Sequence, residues 1–322
     1  MSQHRTSRRN HGAVSRRSSG YASELTPFTF ARYSVANERH PDRNEDNLLI
    51  DEHTGLAAVF DGVGGSAAGE IASQTAARAT YLGWKHALKL VKGHHLQGFF
   101  EDCGEPSLSE LLEKITLEAD ELVRTEGARR AGTDDLATTV ALAILCQQPN
   151  HHYGGRDKSG LYTMVYAHVG DSRIYLLPEH GPLKRLTNDD GLLGRLVENQ
   201  IVNDADAHRI DQAMRADQLS DVEFSYFRLR GGITQALGGP LPPIIHVDQI
   251  PIHPSNRILL CTDGIHDNLT DDEIEAILRM GPRTTVARSL VEHALLRSRQ
   301  ERDITVRAKP DDMTAVVLTC RF

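Results

Sequence analysis

The chain lacks the features that would set it apart from ordinary globular proteins. Its four cysteines, Cys103, Cys146, Cys261 and Cys320, lie far apart with no C-x-x-C pair. That spacing makes neither a cysteine zinc site nor a disulfide framework, and three of the four sit in apolar runs as core thiols do. No stretch approaches the roughly 18 apolar residues of a membrane span, so no membrane partner is expected. Positive charge is not in excess either. The net charge is −8, which gives nucleic acid no global electrostatic support. No internal repeat is present. A reducing, cytoplasmic setting fits these absences.

What is there suits a folded enzyme or binding domain. The 322 residues are 39% apolar and 25% charged, enough for a substantial core in one large domain or two ordinary ones. The first 23 residues differ in kind: they hold Arg5, Arg8, Arg9, Arg16 and Arg17, six serines and no acid. Without an apolar h-region this is not a secretory signal. Low hydrophobicity with one sign of charge predicts disorder, with an Arg- and Ser-rich targeting peptide as the alternative. Residues 1–26 are therefore expected to be a disordered basic tail, and 27–322 the folded domain.

Periodicity places the elements. Strands are expected at 28–36, 48–50, 56–60, 137–146, 161–169, 174–177, 183–186, 257–261 and 313–319. Long helices are expected at 66–92 and 108–123, and shorter amphipathic ones at 271–280 and 284–299. Two consecutive helices followed by crowded strands suggest segregated α and β layers. The polar stretch 147–160, with His151 and His152, reads as a surface loop. Residues 188–226 break the pattern and read as an inserted flap.

The chain is organised around residues 55–69, GLAAVFDGVGGSAAG. A short apolar run ends at Asp61-Gly62, followed by small residues and a helical segment. The plainest reading is a tight turn. Gly62, Gly64 and Ala67 also spell the dinucleotide pattern G-x-G-x-x-A, which needs an acid about 20 residues on. After Glu70 no acid appears until Glu101, so that reading loses its support. A third reading comes from the other strand ends: VGDS at Asp171, CTDG at Asp263, PDDM at Asp311 and Asp312, and Glu45-Asp46 before a strand. If these strands share a sheet, the carboxylates converge and need neutralising. Oxygen ligands without His or Cys select hard divalent ions, Mg²⁺ or Mn²⁺.

The ordered series RNEDN, VFDGVGG, ATTVALAIL, VGDSRIY, TNDDG, ITQALGG, CTDGIHD and DDMTAVVL resembles the metal-dependent protein Ser/Thr phosphatases of the type 2C (PPM) family, over about residues 28–322. The resemblance implies an α+β fold, a four-layer αββα sandwich of two antiparallel sheets flanked by helix pairs. It implies hydrolysis of phosphoserine and phosphothreonine in proteins by a metal-activated water at a binuclear Mn²⁺ or Mg²⁺ centre, with two or three ions in all. Phosphorylated proteins are then the substrates, and a cognate Ser/Thr kinase pathway is opposed. By position, Asp61 is implied as the bridging carboxylate, with the Gly62 carbonyl on one ion and Asp263 and Asp311 as further ligands. Asp46 and Glu45 match the acidic pair that holds the metals through water or from behind the direct ligands. Asp171 matches the residue that, with Asp263, holds a third, weaker ion. Asp312 stands where the family often has Asn.

Two positions depart from the pattern. The family's phosphate-binding Arg falls at Pro41, leaving Arg43, or else Arg39, for that role. Some members carry His where this chain has Val63. His266 is expected to be a helix-entry residue without a catalytic role. The alternative function is a phosphatase-like binding module with degraded catalysis, against which the retained acids argue.

Overall fold

Apolar runs in this chain become strands covered on both faces. The computed structural model describes residues 28–63, 68–90, 107–147 and 162–321. The basic tail, Gly64, Gly65, Ala67, Cys103 and the His151-His152 loop lie outside the described residues. One sheet runs β1 (Phe28–Val35), β11 (Met313–Cys320), β10 (Arg257–Cys261), β7 (Arg173–Leu177) and β8 (Lys184–Arg185). The other runs β2 (Asp46–Asp51), β3 (Leu56–Val63), β5 (Val140–Gln147), β6 (Tyr162–Val169) and β9 (His246–Ile252), with β4 (Ala137–Thr138) also on β3. Every named pairing is antiparallel.

Alternate residues of each strand face different layers. Val59, Ala141, Met164, Ile174, Leu260 and Val316 meet between the two sheets. Their neighbours Phe60, Leu142 and Val165 face outward onto Trp84 of α1 (Ala68–Leu90) and Leu112 and Ile115 of α2 (Leu108–Leu122). Beyond α2 the chain makes one wider turn, Val123–Gly127, into α3 (Ala128–Ala131). On the opposite side Leu259, Ala315 and Val317 face Ile274 and Leu278 of α8 (Asp271–Met280) and Leu290, Val291 and Ala294 of α9 (Val286–Ser298). The result is the four-layer αββα sandwich. Each fully buried large side chain contributes about 1.5–3 kcal/mol.

Local chemistry starts the helices where the layers need them. Ser107 and Glu110 form a reciprocal cap on α2, and Thr270 and Glu273 do the same on α8. Such a cap stabilises a helix by about 1 kcal/mol. Trp84 also donates its indole N–H to Thr54 Oγ1 at 2.8 Å, tying α1 to the β2–β3 turn.

The structure departs from the sequence reading in three places. The expected strand at 137–146 is two strands separated at Thr139. There the backbone N–H donates to the Asp61 carbonyl (2.8 Å) and the hydroxyl accepts from the Asp61 N–H (3.1 Å). The strand expected at 56–60 runs on through Asp61 and Gly62 to Val63 and pairs there with β4, where a tight turn was the plainest reading. Finally, β9 went unread. Its sequence HVDQIPI is polar and contains Pro251, which suits a sheet edge and hides the strand from pattern reading.

Between β8 and β9 the chain folds into α4 (Leu192–Glu198), α5 (Asp204–Asp211) and α6 (Asp221–Leu229), around a small core of Val202, Ile210, Ala213 and Phe227. Among the described residues no helix is long and apolar enough to cross a membrane.

Candidate active site

Strand ends bring the acids together. Antiparallel register sets Asp46 of β2 directly opposite Asp61 of β3. Asp171 sits in the turn from β6 to β7. Asp263 follows β10 and opens α7 (Asp263–His266), and Asp311 enters β11, the neighbour of β10. Asp61 feels the charges of Asp263, Asp46, Asp311 and Asp171 at once. The five acids singled out from separate motifs therefore form one cluster.

Their electrostatics are those of a cation site. Burial, then the neighbouring carboxylates, hold Asp61 well above the usual carboxylate range. Burial does the same to Asp46, although the Thr262 hydroxyl donates to its Oδ2 at 2.7 Å. Burial and Asp263 push up Asp171. Burial and Asp263 raise Asp311 to about 7, against the opposing pull of Lys309. Among the described residues, Asp46 Oδ1 and Glu45 Oε1 are buried without a hydrogen-bond partner. Oxygen donors in excess of protons and of positive charge suit a hard divalent cation. As placed, no three His, Cys, Asp or Glu side chains among the described residues converge on one point as ligands.

The backbone beneath the acids is tightly set. A Cβ at Gly62 would lie 2.2 Å from the Gly69 carbonyl and 2.6 Å from that of Glu45, so only glycine lets β3 approach the start of α1. Gly170 has φ +95° and packs on Thr139, which fixes the turn carrying Asp171. Asp171 is held again by His266, whose Nε2 meets its carbonyl at 3.0 Å. Burial lowers His266 to about 4, so the ring is neutral.

Adjacent Asp311 and Asp312 divide their tasks. Asp312 accepts hydrogen bonds from the backbone N–H groups of Asn37 and Glu45, both at 2.6 Å. It ties the β1–β2 turn to β11, leaving Asp311 to face the cluster. Arg43 Nε lies 3.3 Å from Glu45 Oε1, so this arginine leans on the acidic pair at the rim. Arg39 is exposed, and its backbone N–H donates to Asn37 Oδ1 at 3.0 Å. Val63 is exposed and carries no proton donor. Ser172 Oγ is buried against Thr139 Oγ1 at 2.7 Å, and burial raises the Cys261 thiol. Neither has the exposure or activation of a nucleophile.

Sequence reasoning missed four residues here. Lys309 places its ammonium against Asp263, 2.8 Å from Asp267 Oδ2 and 3.1 Å from Asp311 Oδ2. Asp267 also pairs with Arg230 at 3.0 Å, and Asn268 braces Lys309 from behind. The i,i+4 spacing of Asp263 and Asp267 at a helix start was a usable signal for Asp267. Nothing local signals the reach of Lys309.

Two cavities lie beside the cluster rather than on it. One, of about 700 Å³, opens between α4, α5 and β9, lined by Arg185, Asp190, His208 and His246 among others. The other, of about 710 Å³, borders Val63 and Leu136 to Ala137.

The family model described as protein phosphatase 2C matches residues 36–298. The serine/threonine phosphatase stp of Listeria monocytogenes is 25% identical over 252 residues, 77% of this chain and 82% of that protein. Among solved structures, the Mycobacterium tuberculosis serine/threonine phosphatase PstP/Ppp superposes with a TM-score of 0.63 at 22% identity, covering 92% of this chain and 99% of that one. The catalytic domain of PstP in complex with two manganese ions gives 0.59 at 22% identity, covering 91% and 97%. With the match spanning most of the chain, and the acids of its motifs gathered at one end of a two-sheet sandwich, the chain belongs to the protein phosphatase 2C family and is a protein serine/threonine phosphatase.

Proposed function

We propose that the chain hydrolyses phosphoserine and phosphothreonine in proteins at a binuclear Mn²⁺ or Mg²⁺ centre. Residues 27–322 act as one catalytic domain behind a basic tail, and 188–226 form its flap. The observation that carries this reading is the gathering of Asp46, Asp61, Asp171, Asp263 and Asp311 at neighbouring strand ends, where burial and then the neighbouring carboxylates hold Asp46, Asp61, Asp171 and Asp311 above the usual carboxylate range. Asp61, the Gly62 carbonyl, Asp263 and Asp311 would hold the ions, with Asp46 and Glu45 supporting them. Two such ions, when bound, would supply Lewis acidity and lower the pKa of water at neutral pH.

The chain's own residues supply position. Thr139 fixes the Asp61 backbone, Thr262 orients Asp46, and Asp312 sets the turn bearing Glu45. Arg43, beside Glu45, is the cation placed to take phosphate oxygens at the rim, where a guanidinium can bind two at once. Ser172 and Cys261 are buried and unactivated, which supports direct hydrolysis without a phosphoenzyme. The flap borders a cavity beside the site and is the segment to read the protein substrate. The listerial and mycobacterial relatives are serine/threonine phosphatases, so phosphoproteins of a Ser/Thr kinase pathway are the expected partners. Buried free thiols at Cys146, Cys261 and Cys320 fit a cytoplasmic location.

One observation favours a second reading. The Lys309 ammonium sits among the carboxylates that would bind metal, as in a phosphatase-like module that has lost its ions. Hydrolysis of p-nitrophenyl phosphate and of a phosphothreonine peptide, with and without Mn²⁺, separates the two. Mn²⁺-dependent turnover of both is expected. Its absence in folded protein would leave the binding module.

A further inference from the structure

Lys309 has a geometry of its own. Its Nζ contacts Asp263, Asp267 (2.8 Å) and Asp311 (3.1 Å), one carboxylate for each of its three N–H donors. Its backbone is fixed from both sides by one amide. Asn268 Nδ2 donates to the Lys309 carbonyl at 2.8 Å, and the Lys309 N–H donates to Asn268 Oδ1 at 3.1 Å. The same Asn268 amide reaches the Gly264 carbonyl at 2.9 Å, so the lysine is braced against the helix start that carries Asp263 and Asp267. Above it the backbone just beyond α6 closes in: a Cβ on Gly231 would lie 3.7 Å from Nζ and from Asp267 Oδ2.

Asp267 is the informative partner. It is not among the candidate metal ligands, it is buried, and Arg230 at the end of α6 holds it at 3.0 Å. It therefore keeps Lys309 in place even when divalent ions claim oxygens of Asp263 and Asp311. An ammonium so placed takes up oxygens of Asp263, the acid that the third-ion expectation shares with Asp171, and a compact point charge is the side chain that can do so.

We propose that Lys309 is a resident cation of the metal centre, standing between Asp263, Asp267 and Asp311 in place of a third, weakly held divalent ion. This rests on the binuclear reading above. The wild-type centre then saturates with two ions, and removing the lysine's charge opens a further site for a hard divalent cation.

The test is a count of bound Mn²⁺ in wild-type protein and in Lys309→Met, which keeps the length of the stem without its charge. Equilibrium dialysis with electron paramagnetic resonance of free Mn²⁺ reads the number without reference to turnover. Wild type is expected to stop at two ions, Lys309→Arg to match it, and Lys309→Met to gain one weaker ion per chain. Equal counts in Lys309→Met and wild type would overturn the inference while leaving the binuclear centre intact, as would a third ion in wild type. No Mn²⁺ uptake by wild type would instead overturn the binuclear reading beneath it. A measurement on unaltered protein covers the case where Lys309→Met does not fold. Acetylation of Lys309, followed by mass spectrometry, should be as slow in saturating Mg²⁺ as in chelator, and a gain in reactivity on adding Mg²⁺ would show that the ion expels the lysine.

Discussion

Two buried clusters of charge lie side by side in this molecule and solve the same problem differently. At the acidic cluster carboxylates outnumber cations, and Asp46, Asp61 and Asp171 are all pushed above their usual range. Beneath the flap the charges balance. Arg173, almost wholly buried, is bidentate to Asp189 (2.6 and 2.9 Å) and reaches Asp211 at 3.2 Å. Arg307 bonds the carbonyls of Asp211, His266 and Leu269. Burial alone would raise Asp189 and Asp211, yet Arg173 and its neighbours bring both down. A balanced cluster is finished architecture. An unbalanced one suits a cation from outside, and on the proposed reading it is the one that does chemistry.

The largest effect should come from taking away what the unbalanced cluster binds. Chelation, or Asp61→Asn or Asp263→Asn, should lower kcat by about 10³-fold or more, since several kcal/mol of charge stabilisation is lost at roughly 1.4 kcal/mol per tenfold. Folded apo Asp61→Asn should melt no lower than apo wild type, because a repelling charge is gone. A variant retaining near wild-type kcat would refute the assignment. Breaking the balanced cluster should do the reverse. Arg173→Met strands Asp189 and Asp211 and should cost about 3–5 kcal/mol of stability, read as a lower denaturant midpoint.

Protons distinguish the clusters by sign. Asp311 has its folded pKa raised to about 7, so its contribution to stability is full below its unfolded pKa of about 4 and is lost as pH rises through 7. The lowered acids Asp189 and Asp211 contribute above about pH 4 and lose that contribution as pH falls below it. In chelator, the melting temperature of Asp311→Asn relative to wild type should therefore climb between pH 5 and 8, and saturating Mn²⁺ on wild type should remove the wild-type loss. A flat difference across that range would count against the raised carboxylate.

The smallest expected effect lies at the rim. Arg43→Ala should raise KM severalfold, about 1 kcal/mol for a charged contact in partial solvent, with weaker inhibition by inorganic phosphate. Arg39→Ala should change little, and the opposite result would move the phosphate contact to Arg39.

Much of the sandwich and of the acidic cluster was legible in the sequence, for a physical reason. Strands buried on both faces write themselves as apolar runs, and Asp61, Asp263 and Asp311 sit where those runs begin or end. Their charge is conspicuous against apolar neighbours. What stayed hidden depends on reach across the chain. Lys309 is an unremarkable residue until α7 brings Asp267 to it. The Arg173 cluster draws on residues from 173, 189, 211 and 307, and no local pattern joins them. β9 was hidden by its own suitability for an edge, polar and interrupted by Pro251.

The pairing of β1 with β11 has a consequence for how the protein is made. The two strands match along all eight residues, from Phe28 with Cys320 to Val35 with Met313, and Ser34 meets Thr314 across 280 residues of sequence. During synthesis from the N-terminus, β1 waits without its partner while nearly the whole domain emerges. Asp311 arrives with that same final strand, and Asp312 brings with it the bonds that seat Glu45. Until β11 is made and paired, β1 lacks its partner and the turn bearing Glu45 lacks its anchor, so the proposed centre is assembled only once β11 has joined the sheet.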